Sequence, residues 1–286
     1  MTALVGALGS IPSPSFNTID IGPLSLTMYG LMIGLGVIAA TMLARPRLAE
    51  RSIHPDTAVE MVVWVVPAGI IGARLYHVIT DKKPLDEWIE IWNGGLGIPG
   101  GVVAGVLTGL WFMNSRGLPR DKVLDALIPG VPLAQAIGRW GNWWNQELFG
   151  KPTDLPWGLE IDAPPAEYSA DETFHPTFLY ESLWNLALVA LLILIDRRKI
   201  LKTGKLIWVY AGVYAIGRLW IEALRIDHAT EIAGVRINLW TMSVLLIVSL
   251  YMLRDWRREA VDDDADEDLP DGQAAVVSAR GGDDEE

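Results

Sequence analysis

The chain has 286 residues, 51% of them hydrophobic, with 13 Trp, 28 Gly, 17 Pro and no Cys, and its mean hydropathy is +0.27. A soluble domain of this length is less apolar, so composition points to a membrane protein; the missing Cys excludes a disulfide framework, a thiolate-ligated metal or iron–sulfur centre and a cysteine nucleophile of its own. The formal charge of −12 is local: residues 259–286 hold twelve acidic residues and one Arg, so the remainder carries −1 and gives no support for nucleic-acid binding.

In chain order, residues 1–23 lack a basic start and a small-residue exit and are not expected to be a cleaved signal peptide. A helix needs about 20 largely apolar residues to cross the hydrocarbon. Seven segments qualify: 24–44, 57–79, 96–113, 123–138, 177–195, 206–224 and 237–253. The fourth is the shortest and carries Pro129 and Pro132, which a bundle tolerates where neighbours satisfy the freed backbone groups. Residues 151–174, rich in Pro and acidic side chains, are expected to form a loop or small cap. The run Asp262-Asp263-Asp264-Ala265-Asp266-Glu267-Asp268 repels itself and has little to bury, which predicts a disordered acidic tail.

Lys and Arg in short loops set orientation. One set of loops, around Arg45, Arg116, Arg197 and Arg254, carries fourteen cations; the opposite set carries six. This bias predicts an all-α polytopic membrane protein of seven spans, N-terminus outside and C-terminus cytoplasmic. Small residues at four-residue spacing, Gly30/Gly34 and Gly101/Gly105/Gly109, predict close helix crossings in lipid. Trp88, Trp92, Trp140, Trp143, Trp144 and Trp157 cluster near span ends, where amphipathic rings act as anchors.

Some charges have no part in orientation. Arg74 and Arg218 fall within spans and Arg139 closes the fourth; ionisable groups in lipid are costly unless paired and mark function by default. On a helix of 100° per residue, Tyr214, Arg218, Glu222 and Arg225 share one stripe of the sixth span. Arg218 and Glu222, at i, i+4, can pair, which is the structural alternative to a functional role. The second constellation is Gly138-Arg139-Trp140-Gly141-Asn142-Trp143-Trp144-Asn145-Gln146-Glu147-Leu148-Phe149-Gly150, on the same side as the end of span six. Arg is suited to forked recognition of phosphate, so two arginines flanked by Tyr and Asn donors suggest an anionic lipid headgroup.

Residues 138–150 resemble the signature segment of bacterial prolipoprotein diacylglyceryl transferases, G-R-x-G-N-x-x-N-x-E-x-x-G. Residues 11–14 leading to Tyr29-Gly30-Leu31, then 94–101, 175–181 and 214–225, resemble the same family in the same order. The resemblance covers roughly residues 11–256. It implies a multi-pass enzyme of the bacterial cytoplasmic (inner) membrane whose substrates are phosphatidylglycerol and the lipobox of a prolipoprotein signal peptide. The sn-1,2-diacylglyceryl group passes to the lipobox cysteine thiol, a thioether forms and glycerol-1-phosphate leaves. No cofactor or metal is expected. In domain terms, residues 1–258 form the catalytic unit, with 139–175 as outer signature segment and loop, and 259–286 the tail.

By position, the resemblance implies catalytic roles for Arg139, Arg218 and Tyr29 and for Glu147 and Glu222, the carboxylates expected to hold the guanidinium groups in register. It implies phosphatidylglycerol contacts for Arg139, Asn142, Asn145, Gly100, Gly101, Gly150, Tyr214, Arg218 and Arg225. One departure stands out: where many relatives carry a histidine in the glycine-rich segment, this chain has Pro99, which cannot take a proton. His175 is the nearest candidate base, although a local turn role fits it better; His77 is weaker, and His54 and His228 are expected to be incidental. A substrate phosphate accepting the proton is the remaining route.

Intramembrane arginines also line the paths of secondary transporters for anionic solutes. The chain shows no paired halves of the kind common in such transporters. An intramembrane hydrolase is the other rival, but neither G-x-S-x-G nor H-E-x-x-H occurs.

Overall fold

The computed structural model describes residues 9–22, 24–84, 87–89 and 95–257. A short antiparallel hairpin, β1 (Thr18–Ile21) and β2 (Leu24–Thr27), leads into α1 (Met28–Ala49), α2 (Thr57–Thr80), α3 (Ile98–Ser115), α4 (Arg120–Leu127) and α5 (Gly130–Trp144). Two-residue strands β3 (Leu159–Glu160) and β4 (Thr173–Phe174) precede α6 (Thr177–Arg197) and α7 (Leu206–Leu224). A second tiny hairpin, β5 (Glu231–Ile232) and β6 (Val235–Arg236), feeds α8 (Ile237–Met252). Among the described residues, five helices, α1, α2, α3, α6 and α7, are long and apolar enough to cross a membrane, and α8 is a shorter apolar helix. The architecture is that of a mostly helical polytopic membrane protein. The all-α expectation is amended by three two-stranded sheets.

Helix starts follow local chemistry. Thr27 Oγ1 accepts from the Gly30 amide at 3.0 Å and caps α1. Pro99 occupies the first turn of α3, where an amide hydrogen has no intrahelical partner to lose. The expected fourth span, 123–138, is instead two helices, α4 and α5. Pro129 and Pro132 supply no amide hydrogens, so the ladder stops at Leu127 and restarts at Gly130. The restarted helix runs to Trp144, beyond the expected end, and places Arg139 and Asn142 on helical backbone rather than in a loop.

Helix crossings rest on small residues, at positions shifted from those the spacing suggested. A methyl group on Gly72 of α2 would come within 2.6 Å of the Gly100 carbonyl oxygen, and one on Gly36 of α1 within 3.0 Å of the Ala134 carbonyl oxygen on α5. Gly101 is also tight, at 3.2 Å from Gly69 O, but Gly105 and Gly109 meet only ordinary contacts and Gly34 faces open space.

The two ends of the bundle are closed differently. At the end bearing the basic loops, Ala44, Leu48, Ala58, Met61, Phe112, Met113, Val123 and Ala126 form a buried cluster across α1 to α4. At the other end, Leu159, Ile161, Phe174 and Phe178 form a small cap against which Trp143 packs. Trp143 stacks on Phe178 and donates its indole hydrogen to Pro12 O at 3.1 Å. It therefore ties the N-terminal arm to the cap rather than anchoring at a span end; Trp92 lies outside the described residues, as does the acidic tail.

Candidate phosphate-binding site

At the cap end, three helices deliver charged side chains to one place. Glu181, near the start of α6 and 4% exposed, grips Arg139 of α5 (Oε2 to Nη2, 2.5 Å) and Arg218 of α7 (Oε1 to Nη1, 2.8 Å) with its two oxygens. Arg218 also reaches Glu222 one turn further along α7, Nη2 to Oε2 at 2.6 Å. Glu222 is approached in turn by Arg236 Nε at 2.7 Å and accepts from Asn238 Nδ2 at 3.2 Å. The Glu222 contacts to the two guanidinium groups are close ion contacts without hydrogen-bond alignment. Asp227 completes the string, pairing with Arg236 at 3.2 Å and Arg225 at 2.6 Å.

The string thus runs Arg139, Glu181, Arg218, Glu222, Arg236, Asp227, Arg225. Four guanidinium groups against three carboxylates leave one net positive charge in largely dehydrated surroundings. Such an arrangement gives each charge an opposite neighbour, as buried charges require, and has an electrostatic appetite for one anion. Arg139 is the most open of the four cations, with 21% of its side chain exposed. At the wetter end of the string, burial pushes the Asp227 carboxyl upward, but its hydrogen bond to Arg225 and the charges of Arg225 and Arg236 hold it below the ordinary carboxylate range.

The expected site residues divide into those at this string and those elsewhere. Arg139, Arg218, Glu222 and Arg225 are members, and Tyr214 lines a pocket with Glu181 and Arg218. Asn142 accepts from Arg139 Nη1 at 3.4 Å. Tyr29 packs against Gly141, where an added methyl would meet its ring at 2.6 Å, so α1 abuts the signature helix beside Asn142.

Glu147 departs from expectation. It holds no guanidinium among the described residues; its Oε1 accepts from Asn142 Nδ2 at 2.7 Å and Asn145 Nδ2 at 3.2 Å. After α5 ends, left-handed Gln146 and Leu148 fold the chain back on the helix end, so the carboxylate meets amides rather than Arg139. Its influence on Arg139 passes through Asn142. Gly150 is taken up by neighbouring chain, its amide donating to His175 O at 2.9 Å. Gly100 and Gly101 face α2, so their close approach is to another helix and not to the string.

His175 lies in the link between β4 and α6. Its backbone pairs with Gly150 and Lys151, and its Nδ1 lies 3.1 Å from the Tyr180 hydroxyl. That hydroxyl accepts from Trp157 Nε1 at 3.1 Å. Burial, with Lys151 nearby, pushes the His175 pKa down. His77 Nδ1 lies 3.3 Å from Asp81 Oδ2, and its ring packs against Gly95. Arg74 donates to the carbonyls of Glu87, Trp88 and Gly95.

Three members of the string were not among the expected site residues, Glu181, Asp227 and Arg236. Glu181 stands with Ser182 and Asn185 in an otherwise apolar stretch, and a carboxylate inside a span was the available signal. Arg236, counted as a loop cation, gave no local signal.

The profile of the prolipoprotein diacylglyceryl transferase family matches residues 17–254. The chain belongs to this family. A phosphatidylglycerol–prolipoprotein diacylglyceryl transferase of Frankia alni is 46% identical over 257 residues, which cover 87% of this chain and 68% of that protein. The protein of the same name in Streptomyces griseus is 44% identical (91% of this chain, 83% of that protein), and that of Corynebacterium efficiens also 44% (86% and 82%). The match spans every described helix of this transferase, α8 included to its end. Membership displaces the transporter reading.

Proposed function

We propose that this transferase moves the sn-1,2-diacylglyceryl group of phosphatidylglycerol to the lipobox cysteine thiol of prolipoproteins, releasing glycerol-1-phosphate. One observation carries the reading: a single buried carboxylate, Glu181, holds Arg139 and Arg218 together within a string of net charge +1. A phosphodiester carries one negative charge and matches that excess. Sulfur attacks the glyceryl carbon bonded to the phosphate oxygen, the C–O bond breaks, and charge gathers on the departing phosphate. Preorganised guanidinium groups stabilise that charge as it develops, and a neighbouring cation favours the thiolate. The thiol proton ends on the released phosphate monoester, which balances the step without a histidine at position 99. Arg139, the most open cation, meets the phosphate first, with Asn142 and Glu147 fixing its approach.

The same reading takes α4 and α5 as one interrupted span and α8 as the seventh, the cap end facing outward from the bacterial cytoplasmic membrane. The cation bias supports this orientation, with residues 259–286 as a cytoplasmic tail. Because the chain has no Cys, single introduced cysteines at positions 163 and 199 should label from opposite faces.

The purified protein, phosphatidylglycerol vesicles and a lipobox peptide test the chemistry. A thioether adduct and glycerol phosphate are expected, and Arg139→Ala or Arg218→Ala should lower turnover by about 10²–10³-fold. Full turnover by folded Arg139→Ala protein would overturn the role given to the string.

A further inference from the structure

Two turns into α6, one turn inward from Glu181, lies Asn185, 2% exposed. Its Oδ1 is buried and accepts no hydrogen bond from any described residue. Native structures satisfy the large majority of such atoms with protein or ordered water, and an exception calls for a reason. The atom belongs to a pocket between α6 and α7 whose polar walls are Glu181, Asn185, Tyr214 and Arg218. Trp184 and Ile221 supply apolar walls, and Trp184 is fixed across Gly217 by donating Nε1 to Val213 O at 3.1 Å. The space open to the centre of a water molecule is about 10 Å³, close to the room one water requires.

A hydrocarbon group would fit this space poorly, because it would leave the buried Asn185 Oδ1 without a partner. A buried water needs two to four polar partners, and the pocket offers four. We propose that the pocket binds a single water, which donates to Asn185 Oδ1 and accepts from the inward edge of the Arg218 guanidinium. Through that water Asn185 is a positioning residue: it holds the inner side of Arg218 so that its remaining hydrogens face the lipid phosphate. Asn185 is also neutral, so it fixes Arg218 without cancelling the net positive charge of the string. This inference rests on the transfer reaction proposed above.

Three variants separate the possibilities in the same transfer assay. Asn185→Leu keeps the bulk and excludes the water; kcat should fall about 5- to 100-fold with KM little changed, the scale of one lost buried hydrogen bond. Asn185→Ser leaves a hydroxyl and room for water, and should recover most of the activity. Asn185→Asp keeps the acceptor but cancels the net charge, and should raise KM for phosphatidylglycerol more than it lowers kcat. Unchanged kcat in folded Asn185→Leu protein, or equal losses in the Leu and Ser variants, would overturn the proposal.

A high-resolution experimental map of the unsubstituted protein gives a second readout independent of turnover. A water within hydrogen-bond distance of both Asn185 Oδ1 and Arg218 is expected, and a dry pocket would overturn the proposal even where Asn185→Leu fails to fold. If the unsubstituted protein makes no thioether, the reaction assigned to the site fails, and this map alone decides the water.

Discussion

The bundle carries two dense sets of buried charges, one at each end, and they are wired in opposite ways. At the basic-loop end, Arg47 donates to the carbonyls of Ala126 and Asp125 at 3.0 and 2.8 Å and pairs with Asp196 at 3.0 Å. Arg51 shares Asp196 at 2.5 Å, and Asp125 accepts from the Gly204 and Leu206 amides at the start of α7. Arg47 and Asp125 are tied to backbone beyond their own helices, and Asp196 of α6 draws Arg47 and Arg51 to it, so the set clasps α1, α4, α6 and α7 together. At the cap end the charges bind mostly one another, with one cation in excess and Arg139 open. Charges joined to backbone hold a fold; charges joined in an unbalanced string can exchange a partner for a ligand.

That contrast breaks most visibly at the clasp. Arg47→Ala leaves Asp196 and two carbonyls under-satisfied, and removing one member of a buried pair costs about 3–5 kcal/mol. The melting temperature in detergent should fall steeply, while turnover per folded molecule stays unchanged. A turnover defect without destabilisation would erase the distinction between the two ends. The converse substitution, Glu181→Ala, releases Arg139 and Arg218 from their shared anchor and should cost about 10²–10³-fold in kcat, comparable to losing a preorganised donor. If it merely lowers stability, the string is a clasp as well.

A third substitution asks whether α2 and α3 belong to either set. A methyl on Gly72 would come within 2.3 Å of Ala104 Cβ and 2.6 Å of Gly100 O, so Gly72→Ala forces these helices apart at a cost of about 1–3 kcal/mol of overpacking. Stability measured by thermal melt should drop by that order, with activity following it only as folded protein is lost. An inactive but fully stable variant would attach the glycine-rich segment to the chemistry.

How far the sequence could be read depends on the range of the interactions involved. Hydropathy found α1, α2, α3, α6, α7 and α8 because a span is a local average over about 20 residues. It ran α4 and α5 together because two missing amide hydrogens barely change that average, although they stop the backbone ladder at Leu127. A helical wheel placed Arg218 and Glu222 together, since both lie on one helix. No wheel reaches from α7 to α6 and α5, so the carboxylate bridging Arg139 and Arg218 showed as a polar residue in an apolar stretch, at the end of the family-like segment 175–181, with nothing to say what it bridges. The signature suggested that Glu147 would hold an arginine; the left-handed turn at Gln146 and Leu148 gave it Asn142 and Asn145 instead. Spacing of residues does not encode such a reversal.

The smallest expected effect lies beside the string, at His175. Burial pushes its pKa below the ordinary value of 6.5, and the nearby Lys151 adds to that shift. The unfolded chain therefore binds a proton at a higher pH than the native protein does. From about pH 6.5 downward the unfolded state holds more protons, and linkage requires stability to fall as pH falls through that window. His175→Gln should flatten this part of the stability profile, and Lys151→Met should make it shallower by removing the weaker of the two causes. The comparison is made by thermal melts in detergent between pH 5 and 7.5, with each variant referenced to its own value at pH 7.5. A native state that gains stability on acidification, with the gain lost in His175→Gln protein, would mean that His175 is charged in the fold. It would then count with the excess cations of the cap end, and the net charge beside Arg139 would rise as pH falls.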